Sequence, residues 1–330
     1  MNKNLDLVYY RSERSRQKIT ELSQALKKTP QRLKYSIFSL EKEGIIRNPH
    51  CIFDYSYFGL ILFRVYFKGG YIGEKDKALI IKQLTENPYI ISVYELSGEF
   101  DLAIEILSPN PSRFNKELKK VASLISTLNN YKLVLNIVTH IYPRTYLISK
   151  QNTFNVDEEE ILIGGDRNVE NFNEKEKQVI MSLLSKPRIK KTTLAKETDL
   201  NVKTVSSIIN NLKKRKIIRG FKSVIDTNKL GIYKSRIFLK LHNISPEREK
   251  KLLEHTLRIP EIVQLHKTVG DWDIEIDIES LDKSKIRQKI IQIREEFKDL
   301  IETFNSLEFY QYYTRDYLPR YFFQPQSIII

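Results

Sequence analysis

Two clusters of polar side chains stand at the start of two predicted helices, and their chemistry is hydrogen bonding rather than bond making. The first holds Gln31, Arg32, Lys34, Tyr35 and Ser36; the second holds Lys203, Thr204, Ser206, Ser207 and Asn210. Arg, Gln and Asn can place two hydrogen bonds on one base edge, while Lys, Ser and Thr reach bases or phosphates. A merely solvated face would carry the same residue types, so the clusters alone leave both readings open. Lys18 and Lys190 open the helix before each cluster, a place where the helix dipole disfavours a cation and Ser or Thr would cap better. A cation placed there twice makes sense if the helix end faces a phosphate. Arg47, Arg219 and Lys222 follow the clusters and are further candidates for backbone contact.

Nothing comparable points to covalent chemistry. The five histidines (His50, His140, His242, His255, His266) show no metal-ligand spacing, and there is no phosphate loop, zinc pattern or nucleophile constellation. An enzyme, a metal and a cofactor are therefore not expected. Cys51 is the single cysteine, so no intramolecular disulfide can form, and a buried thiol is expected. The chain opens without the apolar run of a signal peptide and contains no stretch of about 20 apolar residues, so a cytoplasmic protein without membrane association is expected.

Net charge is +14, and its distribution says more than its size. Residues 1–53 carry +6, residues 54–148 carry +2, residues 149–171 carry −4, residues 172–225 carry +10 and residues 226–330 are neutral. The positive excess therefore coincides with the two polar clusters. A diffuse basic surface would not sort itself this way, and the sorting points to a polyanion, double-stranded DNA, at those two places.

The clusters are duplicated because the whole chain is. Asp54 and Gly59 recur as Asp226 and Gly231, and Gly98 and Asp101 as Gly270 and Asp273, all at one spacing of 172 residues. Leu22/Leu194, Leu40/Leu212, Arg47/Arg219 and Arg64/Arg236 share it. A period this long is a module written twice, not a solenoid unit.

The front of each copy reads as three short helices and a wing. In the second, Asn173 caps a helix with Val179, Ile180, Leu183 and Leu184 on one stripe. A short helix follows through Thr192–Glu197, then one capped by Asn201 with Val202, Val205, Ile209 and Leu212 on one face. In the first, Thr29 caps, Pro30 takes the first helical position, and Leu33, Ile37 and Leu40 form the stripe. Arg11 and Ser12 stand where Leu183 and Leu184 do, so a thinly packed or frayed first helix is expected there. Ile217–Ile225 is short and β-branched and reads as a hairpin wing. The plan is a winged helix-turn-helix, whose third helix enters the DNA major groove.

The back of each copy reads strand, helix, two strands, helix, strand. In the first copy the elements fall near 62–68, 74–87, 91–97, 100–107, 112–126 and 133–141. Leu102, Ile104 and Ile106 alternate with Ala103 and Glu105, and Ile274, Ile276 and Ile278 alternate with Glu275 and Asp277, the period of a half-buried strand. The order βαββαβ is the ferredoxin-like split βαβ pattern. The predicted class is α+β, with domains at 1–53, 54–148, 172–225 and 226–330 and an acidic linker at 149–171.

A winged helix followed by such a domain resembles the Lrp/AsnC (feast/famine) transcription regulators, here in tandem. The matching residues are Leu40–Ile46 at the end of the recognition helix, the Asp54/Gly59 and Asp226/Gly231 hinges, and the turns Ser97–Leu102 and Val269–Ile274 with their Gly-x-x-Asp pattern. The family often has a basic residue where this chain has Ser36 and Ile208, a departure that weakens some DNA contact. The resemblance implies sequence-specific DNA binding and dimerisation through the ferredoxin-like (RAM-type) domain. It also implies a small effector, often an amino acid, near the Gly-x-x-Asp turn, which makes Gly98, Asp101, Gly270 and Asp273 effector-site candidates. The other reading of these four is that Gly supplies a hairpin turn and Asp caps it.

The linker holds Asp157-Glu-Glu-Glu160, and Ile161–Ile163 reads as a short strand for a sheet edge. It is long enough for the two ferredoxin-like domains to pair within one chain, so an intramolecular pseudodimer is expected. The apolar tail Tyr321–Ile330 is expected to pack into the core or dock as an edge strand. The outward residues of the two recognition helices differ, which predicts an asymmetric operator. Two alternatives are an architectural DNA-binding protein and, on the same two-domain plan, a tetrapyrrole decarboxylase-like enzyme.

Overall fold

The computed structural model describes residues 4–68, 73–124, 130–149, 160–242 and 245–323. The first repeat runs α1 (Leu5–Glu13), α2 (Ile19–Leu26), α3 (Pro30–Lys42), β1 (Ile46–Phe53), β2 (Ile61–Phe67), α4 (Glu74–Glu86), β3 (Ile90–Ser97), β4 (Leu102–Ser108), α5 (Pro111–Leu124) and β5 (Tyr131–Ile141). A short strand β6 (Ile161–Gly164) follows. The second repeat runs α6 (Glu174–Ser185), α7 (Lys191–Glu197), α8 (Val202–Lys214), β7 (Ile218–Ile225), α9 (Thr227–Leu230), β8 (Tyr233–Leu241), α10 (Pro246–Leu257), β9 (Ile262–Gly270), β10 (Ile274–Ser280), α11 (Lys283–Glu296) and β11 (Ile301–Arg315).

Local chemistry sets the boundaries. Asn173 and Glu176 cap α6 reciprocally, each side chain accepting from the other's backbone N–H at 3.0 and 3.1 Å. The repeated Asp and Gly mark the passage from head to sheet. The Asp54 and Asp226 carboxylates accept from Ser56 N and Lys229 N, and Gly59 and Gly231 close the single turn that follows at φ +68° and +69°.

Two expectations for the heads are corrected. The first helix is neither frayed nor thinly packed: Leu7, Val8, Tyr9 and Tyr10 are all fully buried in it. Its core is built from a run of four apolar residues earlier than the second copy's pair, and Arg11 turns outward to Glu41. Nor is either wing a hairpin. Each head contributes one strand, and β1 pairs antiparallel with β7, from Ile46↔Ile225 to Phe53↔Ile218. A lone strand needs a partner for its backbone groups, and each copy supplies the other's. Cys51 lies buried on this ribbon.

The two ferredoxin-like sheets also complete each other. In each repeat the last strand pairs with its own first strand and then runs on to the other repeat: β5 with β2 and β9, β11 with β8 and β3. The order β2-β4-β3-β11-β8-β10-β9-β5, with β5 also on β2, is a closed ring of eight strands with no free edge between the sheets. As the sequence indicates, residues 161–163 form an edge strand, β6, on the far part of β5.

Helices cover the outside of the ring over two apolar layers, one around Val65, Ile104 and Phe114, the other around Leu239, Ile276 and Ile293. The inside is different, and here the half-buried reading of β10 is corrected. Ile274, Ile276 and Ile278 face the helices, while Glu275, Asp277 and Glu279 point into the ring and are at most 1% exposed. Arg64 and Arg236, from β2 and β8, lie there at 0%. Arg236 makes a two-pronged pair with Asp277 (2.6 and 2.9 Å) and donates to the Tyr66 and Tyr94 hydroxyls of the other repeat. Arg64 bridges Glu105 of its own repeat and Glu275 of the other. Of the tail, Tyr321 stacks on Tyr89 at 3.9 Å and Phe322 packs edge-on to Phe58. Residues 324–330 and most of the acidic run, 157–159, lie outside the described residues.

These buried charges set a pH dependence. Burial alone would raise the Asp277, Glu279 and Glu13 carboxyls, but adjacent cations (Arg236 and Lys234; Arg144 and Lys234; Lys222 and Arg144) outweigh it and lower all three, Glu279 to about 2. A carboxylate lowered on folding adds stability above its unfolded value and loses it as pH falls through the folded one. For Glu279 the window runs from 4.5 down to about 2. The urea midpoint is therefore expected to fall steadily from pH 5 to 2, and Glu279→Gln should flatten that limb while costing stability at pH 7. Equal slopes in the two proteins would contradict this account.

Candidate nucleic-acid interface

In each head a short helix and a longer one meet at a tight turn. Lys27 and Asp199 make the corner in the left-handed region, at φ +51° and +52°. Leu22, Leu26 and Leu33 bury one side of the first pair; Leu194, Val205, Ile209 and Leu212 bury one side of the second. The longer helix is then fixed with its opposite side in solvent. Thr29 Oγ1 accepts from Arg32 N at 3.4 Å, and Asn201 Oδ1 from Thr204 N at 2.7 Å, so both N-termini are capped.

On α3 this leaves Gln31, Arg32, Lys34 and Tyr35 exposed, with Tyr35 at 76%. Lys203, Ser207 and Asn210 are exposed on α8, and Thr204 and Ser206 are half-buried. Phe38, one turn beyond Tyr35, is 63% exposed and joins this face. The sequence reading passed over it, although an aromatic at i+3 from Tyr35 and off the apolar stripe was the available signal. Lys18 and Lys190 are the N-caps of α2 and α7, both exposed, and neither side chain caps its helix.

The strand residues divide. Arg47 and Arg219 are half-buried on the β1–β7 ribbon. Lys222 does not reach solvent: it is 7% exposed and its ammonium is bonded to the buried carboxylate of Glu13, which also takes Arg144 at 2.8 Å. Its selection as a DNA contact is corrected on that ground, since strand pairing turned the alternate side chain inward.

The two Gly-x-x-Asp turns come together across the ring. Phe100 and Trp272, one inside each turn, lie 6.1 Å apart and pack with Tyr66 and Phe238. Gly98 and Gly270 sit at φ +129° and +146°. The Asp273 carboxylate accepts from Leu241 N at 2.8 Å and Lys240 Nζ at 3.1 Å, and the Asp101 and Asp273 carbonyls accept from Leu96 N and Thr268 N. A Cβ on Gly270 would lie 2.8 Å from the Leu133 carbonyl oxygen, whereas on Gly98 it would meet only the tip of Leu307. Gly270→Ala is therefore expected to destabilise by about 1–3 kcal/mol, and more than Gly98→Ala, in urea titration.

No helix among the described residues is long and apolar enough to cross a membrane. No protein-family model matches the sequence. Curated relatives do. An uncharacterized HTH-type transcriptional regulator of Pyrococcus horikoshii is 31% identical over 123 residues, 37% of this chain and 78% of that protein. The HTH-type transcriptional regulator FL11 of the same organism is 26% identical over 137 residues, 42% of this chain and 84% of its own length. Each match spans less than the 172-residue spacing of the repeat. Over the whole chain the fold is like that of the siroheme decarboxylase NirDL, at a TM-score of 0.57 and 13% identity, covering 96% of this chain and 94% of that one. The expectation that the chain is no enzyme is overturned by this likeness: an enzyme carries the same full-length architecture, although at that identity the likeness is one of fold. At the level of sequence, the relatives that share the repeated module are regulators, and the chain belongs to the Lrp/AsnC family of helix-turn-helix transcriptional regulators.

Proposed function

We propose that this regulator reads an asymmetric operator with two unlike heads, α3 and α8 each entering a major groove. The observation that carries the reading is the difference between the two solvent-facing sides: Gln31, Arg32, Lys34 and Tyr35 on α3 against Lys203, Thr204, Ser206, Ser207 and Asn210 on α8. Identical heads read a palindrome; these cannot make the same contacts. Selection of bound sequences from a random duplex pool is expected to return two different half-sites, and a perfect palindrome would refute the reading. A regulator should also prefer its site to random duplex by roughly 10³ or more, which an architectural protein would not.

Strand exchange between β5 and β9 and between β11 and β3 supports a single chain as the DNA-binding unit, since it supplies internally the pairing a homodimer makes between subunits. Lys18 and Lys190 serve as phosphate anchors at their helix ends. Lys18→Ser and Lys190→Ser are each expected to lower affinity and to reduce the slope of log K against log salt by about 0.9; an unchanged slope would remove the role.

An amino-acid effector belongs near the paired Gly-x-x-Asp turns. Their approach across the ring supports the reading, while Asp273 is already engaged by Leu241 and Lys240. Thermal melts with each of the twenty amino acids would show it, and no upward shift with any of them would remove it. The whole-chain likeness to a decarboxylase favours tetrapyrrole chemistry as a second reading. Titration with an iron-uroporphyrin followed by absorbance separates the two, because a regulator without that chemistry leaves the spectrum unchanged.

A further inference from the structure

The repeat places Arg16 opposite Arg188 and Lys213 opposite Glu41. On one side of the ribbon Arg188 has a counter-charge, shared with Arg11, although its own buried Nε has no hydrogen-bond partner among the described residues. Glu41 Oε1 lies 2.5 Å from Arg188 Nη1 and 3.2 Å from Arg11 Nη2. On the other side a lysine stands where the glutamate should be. The Arg16 guanidinium carbon and the Lys213 ammonium lie 4.8 and 5.6 Å from the centre of the same ring, Phe221. Arg16 donates to the Ile189 carbonyl at 2.8 Å through one nitrogen, but its buried Nη1 has no hydrogen-bond partner among the described residues. Burial, then the like charge of Arg16, lower the Lys213 pKa. Among the described residues neither Arg16 nor Lys213 has an ion-pair partner, whereas on the other side Glu41 supplies one to Arg188.

The pair faces a groove of about 1140 Å³ between the heads, large enough for more than a single ion. Lys216 and Arg219 also line it. Of its three acidic residues, Glu13 is taken by Lys222 and Arg144 and Glu160 by His140, while Glu21 is exposed to solvent. Gln17, next to Arg16, likewise has a buried amide oxygen with no partner. Turning that amide over presents an N–H₂ donor to the same space.

We propose that this groove is a binding site for a phosphate-bearing anion, gripped by Arg16 and Lys213 with Lys216 and Arg219 at the rim. A guanidinium fork beside an ammonium suits a multiply charged phosphate group. That phosphate belongs either to a free small molecule or to the backbone of bound DNA. The site is built on one side only: Glu41 fills the equivalent position on the other.

The full chain is titrated calorimetrically with inorganic pyrophosphate and, separately, with its selected duplex over a range of salt. Lys213 is exposed, so Lys213→Glu and Lys213→Gln leave the core intact. The expected result is one pyrophosphate per chain, weakened at least tenfold by Lys213→Glu and less by Lys213→Gln. Glu41→Lys should create a second site. If pyrophosphate does not bind but Lys213→Glu lowers DNA affinity and its salt slope, the phosphate is the backbone's and the site stands. If none of these substitutions changes pyrophosphate or DNA binding, the proposal is overturned. A chain that binds pyrophosphate but no duplex would keep the site and remove the operator reading instead.

Discussion

Replacing Arg236 with Met is expected to destabilise the protein by about 3–5 kcal/mol, the cost of leaving a buried carboxylate without its partner. Asp277 loses both of its short bonds and keeps only Lys234 at 3.4 Å, while the Tyr66 and Tyr94 hydroxyls lose their donor. Those tyrosines belong to the other repeat, so the change also loosens the junction between the sheets. At about 2.1 cal/mol/K of unfolding entropy per residue, the melting temperature should drop by roughly 4–7 °C. Adding Asp277→Leu should restore much of the loss, because a pair replaced by apolar groups leaves no bare charge. A single variant that melts like the wild type would show that the ring interior admits water and that the network is not the tie between repeats.

The second large effect is expected on DNA. Substituting Gln31, Arg32, Lys34 and Tyr35 together by Ala should weaken operator binding at least a hundredfold, since each base or phosphate contact is worth roughly 1–3 kcal/mol. All four are on the solvent side of α3, so the helix keeps its Leu22–Leu26–Leu33 packing and the melting temperature should hardly move. The diagnostic part is which bases stop mattering. Selection with this variant should lose one half-site and keep the other, read by α8. Loss of both half-sites together would mean that the heads do not act separately, and no loss would place the DNA elsewhere on the molecule.

Much of the architecture was legible because it rests on local rules. Asn173, Thr29 and Asn201 announce helix starts, and in the structure each accepts the bond that a cap accepts. The alternation in β4 and β10 announces strands, and their order announces the ferredoxin-like sheet. The outward faces of α3 and α8 followed from the apolar stripes that bury the opposite sides. The decarboxylase likeness was legible as an alternative, since the two-domain plan is shared with such enzymes, but its extent over the complete chain was not, because architecture over 330 residues is not a property of any motif. The wing was misread for a related reason: a short β-branched segment shows that a strand forms and says nothing of its partner.

The sequence by itself determined the repeat, the element types, the sorting of positive charge and which side chains share a face. Only the tertiary structure decided what covers each face. Glu275 and Asp277 alternate with isoleucines as on any half-wet strand, yet closure of the ring buries them against Arg64 and Arg236. Lys222 sits in a basic segment, yet strand pairing turns it onto Glu13. Glu41 and Lys213 are one repeat apart in sequence, and only folding about the pseudo-twofold makes one the counter-charge of Arg188 and leaves the other beside Arg16. The physical reason is the same in all three. Periodicity records which way a side chain points relative to its own backbone, whereas its free energy depends on the charges and water that distant segments bring to it.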